Sequence, residues 1–492
     1  MRVLVRVLQL LIVTAIVFSW DPSYCAYNHR DEIDSPIFVS VHPNAAGSKL
    51  DSCNLCHSAG SYVQGGKTVS LGSCQWCHYT YGYDAHGNIQ DTLNPFGLAY
   101  LTAGRSEAAL EAIGALDSDG DGYSNLEEIA ATRYPGDPND DPSKVVAPYR
   151  IYSIEDLQKM KQHSQLLLMN ATKSTDSYSK YTGVAMRQLL LAAGILPDSS
   201  GVRVFSPDGF STYHPLYPDP DPAMYHLYGT YPEGLFHYSD QANVDMNETG
   251  WCAYNSPSVQ GMVDGAPIVN KSGLKVMLAY KRDGDLLTPG VLNDQNKLDG
   301  EGPFRLVPPQ KVPCPPDQRS TATDATDPSA WIWPFDNSAD HNAGYSTRTT
   351  TIIRVEPMPA GTTDVDVLEA GWSFVDEKKI IVYGAIDPIP NVNQKLGALR
   401  AYLCSLKPGA FKNRVSRQFL LRQLGCIKRL VAKGQTHTAL KLLENRYVKG
   451  FDGCERNGSA DPRDLVTDCM AQKQVYWSIH EMIVLLRILE KD

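Results

Sequence analysis

The sequence predicts a multidomain chain: a mostly irregular and α-helical N-terminal domain with an EF-hand-like loop, an α+β middle domain, and an all-α C-terminal module. Three observations predict it. A Cys-x-x-Cys-His spacing occurs twice within Cys53–His78, in a stretch too polar and glycine-rich to build an apolar core of its own. An acidic run with calcium-ligand spacing follows at Asp117–Glu128. Apolar periodicity then changes, from short strand-like runs in the middle of the chain to helical spacing beyond residue 393. The 492 residues, 42% hydrophobic and 20% charged, can fill several cores.

Residues 1–26 read as a secretory leader. Arg2 and Arg6 supply a positive start, and Val7–Phe18 is an apolar run too short for a spanning helix with a stop-transfer flank. The alternative is an uncleaved anchor. No later stretch is apolar enough to span a bilayer. The formal charge is −10, and losing the leader makes the remainder slightly more acidic. An acidic surface argues against nucleic acid or anionic membrane as partner.

The domain expected over 27–148 is organised by its cysteines. Cys53-Asn54-Leu55-Cys56-His57 and Cys74-Gln75-Trp76-Cys77-His78 have the spacing by which two thiols hold the vinyl groups of one haem c while the adjacent imidazole reaches its iron. A closed zinc cluster could use the same residue types. A dithiol enzyme would not need histidine after both pairs. Two covalent haems are therefore expected, with His57 and His78 on the irons. Covalent haem c is made outside the cytoplasm, so the leader and the motifs support each other.

The second axial position is read from the local pool. Apart from Met1, no methionine precedes Met160, which leaves His29, His42 and His86. His42 and His86 are expected as distal ligands, with His29 in reserve. Bis-histidine haems imply low potential and electron transfer, since no position stays open for substrate. The alternative is one five-coordinate haem and one surface histidine.

Helical spacing over Ser106–Leu116 leads into Asp117-Ser118-Asp119-Gly120-Asp121-Gly122-Tyr123-Ser124-Asn125-Leu126-Glu127-Glu128. Calcium ligands are expected from Asp117, Asp119, Asp121, the Tyr123 carbonyl, Asn125 (directly or through water) and Glu128. A solvated acidic turn is the alternative. A lone site of this kind suits a structural clamp better than a switch. A helix should end before Pro135-Gly136, and Asp137–Ser143 reads as a linker.

Over 149–392, Ser153 should cap a helix through Met160. Strands are expected at Gln165–Asn170, Val202–Ser206, Leu274–Tyr280, Thr350–Val355 and Lys379–Tyr383, and a helix at Val184–Ala193. The aromatic run Tyr213–Tyr238, with His214, His226 and His237 among prolines, matches no metal spacing and reads as an irregular surface insertion. Over 393–492, helices are expected at Leu396–Leu406, Arg414–Lys433, Thr436–Val448 and Ala471–Leu489. Of the 11 cysteines, Cys252, Cys314, Cys404, Cys426, Cys454 and Cys469 remain after the motifs and Cys25. In an exported chain an even remainder suggests disulfides, Cys454–Cys469 and Cys252–Cys314 first.

Several short stretches carry resemblances. Tyr152–Leu157, Tyr181-Thr182-Gly183-Val184 with Arg187–Leu190, Ser206–Phe210 and Gly302-Pro303-Phe304-Arg305-Leu306-Val307-Pro308 resemble the molybdopterin-binding domain of sulfite-oxidase-like proteins. In that family a cysteine thiolate ligates molybdenum. The corresponding stretch here, Leu167–Thr172, has no cysteine, so a fold without molybdopterin is implied. Ala410-Phe411-Lys412-Asn413, and Gly434 followed by Ala439-Leu440, resemble FIMAH-type helical modules of secreted bacterial proteins. The two haem motifs, the acidic loop and Gly300-Glu301-Gly302-Pro303 together resemble the GEGP-motif dihaem c-type cytochromes of metal-respiring bacteria such as Geobacter. That resemblance implies electron transfer in anaerobic respiration, in the periplasm or at the cell surface. Its implied partners are redox proteins, other multihaem cytochromes among them. The alternative is a haem-coupled oxidoreductase with a cofactor or substrate in the middle domain.

Overall fold

Several helices in this chain start where a short polar side chain accepts a backbone N–H three residues on. Asn94 accepts from Gly97, Ser106 from Ala109, Ser124 from Glu127, Ser153 from Asp156, Asn413 from Ser416 and Asp468 from Ala471. Each bond satisfies one of the N–H groups that a helix leaves without an internal acceptor. Ser124 and Ser153 complete reciprocal capping boxes with Glu127 and Asp156.

The computed structural model describes residues 33–58, 61–64, 67–70, 89–171, 176–207, 210–218, 225–228, 231, 236–239, 256–293, 298–312, 340–366 and 371–490. Residues 1–26, expected as a leader, His29, the second motif Cys74–His78, His86, Cys252 and Cys314 lie outside the described residues. The chain divides into two compact units between Asn139 and Asp140, inside the expected linker. The expected boundary at residue 148 falls late, because Val145–Val146 pairs in parallel with Thr362–Thr363 and so belongs to the second unit.

In the first unit, the helices Asp34–Val41, Pro95–Ala103, Glu107–Ile113 and Asn125–Ala130 surround a small apolar core. Phe38, Leu50, Leu55, Phe96, Tyr100, Leu110 and Ile113 are buried in it, with Cys56 packed against it. Asp34 ties the first helix to the second. It accepts from Tyr100 Oη at 3.2 Å and pairs with Arg105 at 2.6 Å. A short hairpin joins Ser61–Gln64 to Lys67–Ser70.

The second unit holds two five-stranded sheets. In one, Met277–Arg282 is central. It pairs antiparallel with Ser177–Ala185, with Asp285–Leu286 and with Arg305–Val307, and Gln162–Met169 adds beyond Ser177–Ala185. The other runs Tyr149–Ser153, Lys379–Gly384, Ile352–Glu356, Gly201–Phe205, Ser211–Pro215, with only Ile352–Glu356 and Lys379–Gly384 parallel. One core joins the sheets. Leu168, Val184, Leu278 and Leu306 meet Val202, Val204, Ile353, Val355, Ile380 and Val382 there, with Leu189 and Leu190 of the helix Met186–Ala193. Val184, expected as the helix start, is the penultimate residue of the strand Ser177–Ala185. The alternating pattern of the second sheet places Phe205, Ile352, Ile381 and Tyr383 in a further cluster on its other face.

The described residues of the aromatic run do not form a surface insertion. Ser211–Pro215 is a strand, and His214, Tyr225, Leu227, Tyr231, Phe236 and Tyr238 are all buried. His214 bonds Thr212 Oγ1 and the Tyr225 carbonyl, and Tyr225 Oη donates to the Asp340 carbonyl at 2.8 Å.

The helices Ile389–Ser405, Arg414–Ala432, Thr436–Leu442 and Cys469–Arg487 pack around Leu396, Leu420, Leu424, Ile427, Leu443, Val475, Ile479 and Met482. This helical part belongs to the same compact unit as the two sheets. His480 Nε2 lies 3.3 Å from the Ser143 carbonyl, and a Cβ on Gly361 would sit 3.1 Å from Val484. Cys454 and Cys469 form the expected disulfide. Cys404 and Cys426 are instead free thiols, each on a different helix, so the even cysteine count does not translate into pairs. No helix among the described residues is long and apolar enough to cross a membrane.

Candidate haem and calcium sites

The first Cys-x-x-Cys-His motif is a single tight turn. Cys53–Leu55 is 3-10 helical, and the His57 N–H donates to the Cys53 carbonyl at 2.8 Å. Both cysteines are partly buried. The turn is held from behind by Asn94, which is 2% exposed. Its backbone N–H donates to the Cys56 carbonyl at 2.8 Å, and its side-chain amide donates to the Leu55 carbonyl and Ser58 Oγ, each at 3.0 Å. The same side chain caps Pro95–Ala103. A Cβ on Gly97 would come 2.4 Å from the Cys56 carbonyl oxygen, so only glycine lets this helix lie so close to the motif.

His57 Nδ1 lies 2.8 Å from Thr92 Oγ1. Burial lowers the imidazole pKa; the Asp34 carboxylate opposes this, and Arg105 adds to it. Neutral imidazole is the form that binds metal. When Nδ1 donates to Thr92, Nε2 carries the lone pair. These residues fit haem c: cysteines one turn apart, an adjacent imidazole whose pKa is lowered by burial, and a hydroxyl against its Nδ1 that orients the ring. Cys53, Cys56 and His57 are the residues that would hold the group, which supplies a reversible one-electron centre.

His42 is the C-cap of Asp34–Val41, its ring 5.0 Å from that of Phe38. Burial lowers its pKa too. Val41 and Phe38 belong to the same apolar cluster as Leu55 and Cys56. Thr92 and Asn94 are absent from the sequence expectations. The visible signal is Asn94-Pro95, an N-cap followed by proline at the first helical position. Thr92 carries no local signal, because its partner lies 35 residues away.

The acidic loop folds around its first aspartate. Asp117 accepts from the Gly120 N–H at 2.7 Å and from the Gly122 N–H at 2.9 Å. Gly122, at φ +101°, makes the sharp turn the pattern demands. Carboxylate oxygens of Asp117, Asp119 and Asp121 lie within 4.8 Å of one another. Oδ2 of Asp119 and Oδ2 of Asp121 are buried with no hydrogen-bond partner. Burial, then the neighbouring Asp121 and Asp117 charges, push Asp119 up to about 6. Glu128 is fully buried in the helix that follows. Hard oxygen donors with orphaned lone pairs fit calcium. Asn125 also serves the loop's own fold. It is fully buried, with Oδ1 accepting from the Ser118 N–H and Nδ2 donating to the Ile113 carbonyl, so its amide closes the loop onto the preceding helix.

Gly300-Glu301-Gly302-Pro303 leads into the strand Arg305–Val307, with Gly302 bridged to Pro289. Glu301 pairs with Arg282 at 3.3 Å and with Arg305. Arg305 also donates to Tyr181 Oη at 3.0 Å and Ser346 Oγ at 2.8 Å. Burial pushes the Glu301 carboxyl up, but the two guanidiniums outweigh that and hold it below its usual value. A Cβ on Gly302 would sit 2.6 Å from the Leu287 carbonyl oxygen. Asn170, in the cysteine-free stretch, is fully buried, and its N–H donates to Asn342 Oδ1 at 2.8 Å. Comparison with protein-family models, curated proteins and solved structures finds no match to the chain.

Proposed function

We propose that the chain is an exported c-type cytochrome that carries electrons on two covalent haems, one on Cys53, Cys56 and His57 and one on Cys74, Cys77 and His78. His42 and His86 complete the irons, and calcium in the Asp117–Glu128 loop clamps the same unit. The observation that carries the reading is the His57 Nδ1 contact with Thr92 Oγ1. A histidine oriented through its second nitrogen, directly after two cysteines on one turn, is the arrangement of a metal ligand. The repeat of the motif at Cys74–His78 supplies the second centre. On this reading the two-sheet region is a sulfite-oxidase-like fold that works without molybdopterin, and the helical part is an accessory module of the FIMAH type. Redox proteins of the periplasm or cell surface are its partners.

The test is a metal analysis of the purified exported protein together with an alkaline pyridine spectrum and a redox titration. Two irons per chain as haem c, calcium, no molybdenum, and low-spin midpoints in the range of bis-histidine centres are expected. Zinc in place of iron, or stoichiometric molybdenum, would overturn the reading.

A further inference from the structure

We propose that the helical part of the chain holds a divalent cation, calcium by its donor chemistry, between Asp452, Asp461 and Asp464. One carboxylate oxygen from each of these residues lies within 4.8 Å of the others. This cluster is not a solvated acidic patch. Asp452 is 5% exposed and Asp464 is 0% exposed. Oδ1 of Asp452 and Oδ1 of Asp464 are both buried with no hydrogen-bond partner. A buried carboxylate oxygen without a donor is costly, and neighbouring carboxylates repel.

The protein supplies little countercharge inside. Arg456 reaches Oδ2 of Asp452 at 3.0 Å, but its side chain is 69% exposed. Arg463 meets Oδ2 of Asp461 at 3.3 Å and is 74% exposed. No ion pair reaches Asp464 among the described residues, and its Oδ2 accepts only the Asp461 N–H. A small cation held among the three carboxylates would answer both the missing countercharge and the two unpartnered Oδ1 atoms.

The cage is built into the backbone. A Cβ on Gly453 would lie 2.2 Å from Asp464 Oδ2 and 2.6 Å from the Asp461 nitrogen, so the chain passes here only as glycine. The Asp464 N–H closes a turn onto the Asp461 carbonyl at 3.1 Å, and the Cys454–Cys469 disulfide fastens both ends of the segment. The donors are all oxygen. The nearby sulfurs are spent in the disulfide, which speaks against zinc, while a flexible carboxylate set suits calcium.

The decisive experiment uses the full chain with Asp117→Asn, Asp119→Asn and Asp121→Asn, which silences the N-terminal loop. Calcium titration by calorimetry should still find one ion per chain, with Kd at or below about 10⁻³ M, the range of extracellular modules. The unfolding midpoint of the helical part should rise with calcium. Adding Asp464→Asn should abolish both effects. If that variant does not fold, Asp461→Asn on the partly exposed rim should weaken binding by at least about tenfold, the loss of one charged ligand. No binding to the loop-silenced chain, or binding unchanged by Asp464→Asn or Asp461→Asn, overturns the proposal. One ion in the unmodified chain that is lost with Asp464→Asn would support this site and count against the N-terminal loop.

Discussion

Thr92 Oγ1 and His57 Nδ1 are 2.8 Å apart across 35 residues of chain. A hydrogen bond to the second nitrogen of a ligating imidazole makes the ligand more basic and favours the oxidised metal. Thr92→Val should therefore keep both haems attached and raise one midpoint by about 20–60 mV, the equivalent of one ordinary hydrogen bond in a one-electron couple. Spectroelectrochemical titration reads this directly, and two unchanged midpoints would remove Thr92 from the site.

Asn94 makes its contacts from a single buried side chain and its own backbone. Asn94→Ala removes a helix cap, worth ~1 kcal/mol, and leaves the buried Leu55 carbonyl without its side-chain donor, at a cost of about 1–3 kcal/mol. A loss of roughly 2–4 kcal/mol in the first unit is expected, together with incomplete haem attachment at Cys53 and Cys56. Denaturant unfolding followed at the Soret band, with intact mass, tests both. Full attachment and unchanged stability would mean the clamp is dispensable.

Calcium binding in the N-terminal loop should fall in mild acid. Asp119 sits at about 6, raised by burial and by its acidic neighbours. Because its folded value lies above the unfolded one, the calcium-free loop loses stability as pH rises from about 4 to 6, where the unfolded chain has already given up its proton. Calcium binds the ionised form, so affinity should drop by up to about tenfold per pH unit below 6, with proton release on binding near that pH. Calorimetry in buffers of different ionisation enthalpy, with the cluster at Asp464 disabled, isolates the effect. A flat affinity between pH 7 and 5 would contradict it.

Glu301→Gln leaves two guanidiniums facing an amide. Breaking a buried ion pair costs about 3–5 kcal/mol, and the 33% exposure of Arg282 moves the expectation toward the lower end. The wild-type carboxyl is held below 4.5, so its stabilisation is complete above that pH and disappears as pH falls through the lowered folded value. The variant should unfold at lower denaturant at pH 7, and the gap should close at low pH. A constant gap would show that packing rather than charge is responsible.

Much of the frame is readable in the residues, because local chemistry decides it. Ser153 with Asp156 announces a helix start, the Val-Ile runs announce buried strands, and the periodic segments near the end of the chain become helices, closely at Arg414–Ala432 and Cys469–Arg487 but with Ile389–Ser405 starting seven residues before its expected bound. What escapes is set by distance. Proline and aspartate in Tyr213–Tyr238 say nothing of where the rings go, and Tyr225 finds its acceptor 115 residues away. Thr92 and Asn94 are invisible for the same reason. The bond from the Asn125 amide to the buried Ile113 carbonyl, 12 residues back, is likewise not visible in the loop pattern. Parity misled over Cys404 and Cys426, since counting thiols does not bring two helices into register.

The contact of His480 with the Ser143 carbonyl gives the molecule a timetable. The second unit begins at Asp140, and the helix Cys469–Arg487 closes against its opening residues. A chain delivered N-terminus first therefore presents the turn at Cys53–His57 and the acidic loop as a finished piece while the other unit still waits for its closing helix. On the proposed reading, an exported chain truncated before residue 469 should therefore still carry haem on Cys53 and Cys56 and still take up calcium in its first unit.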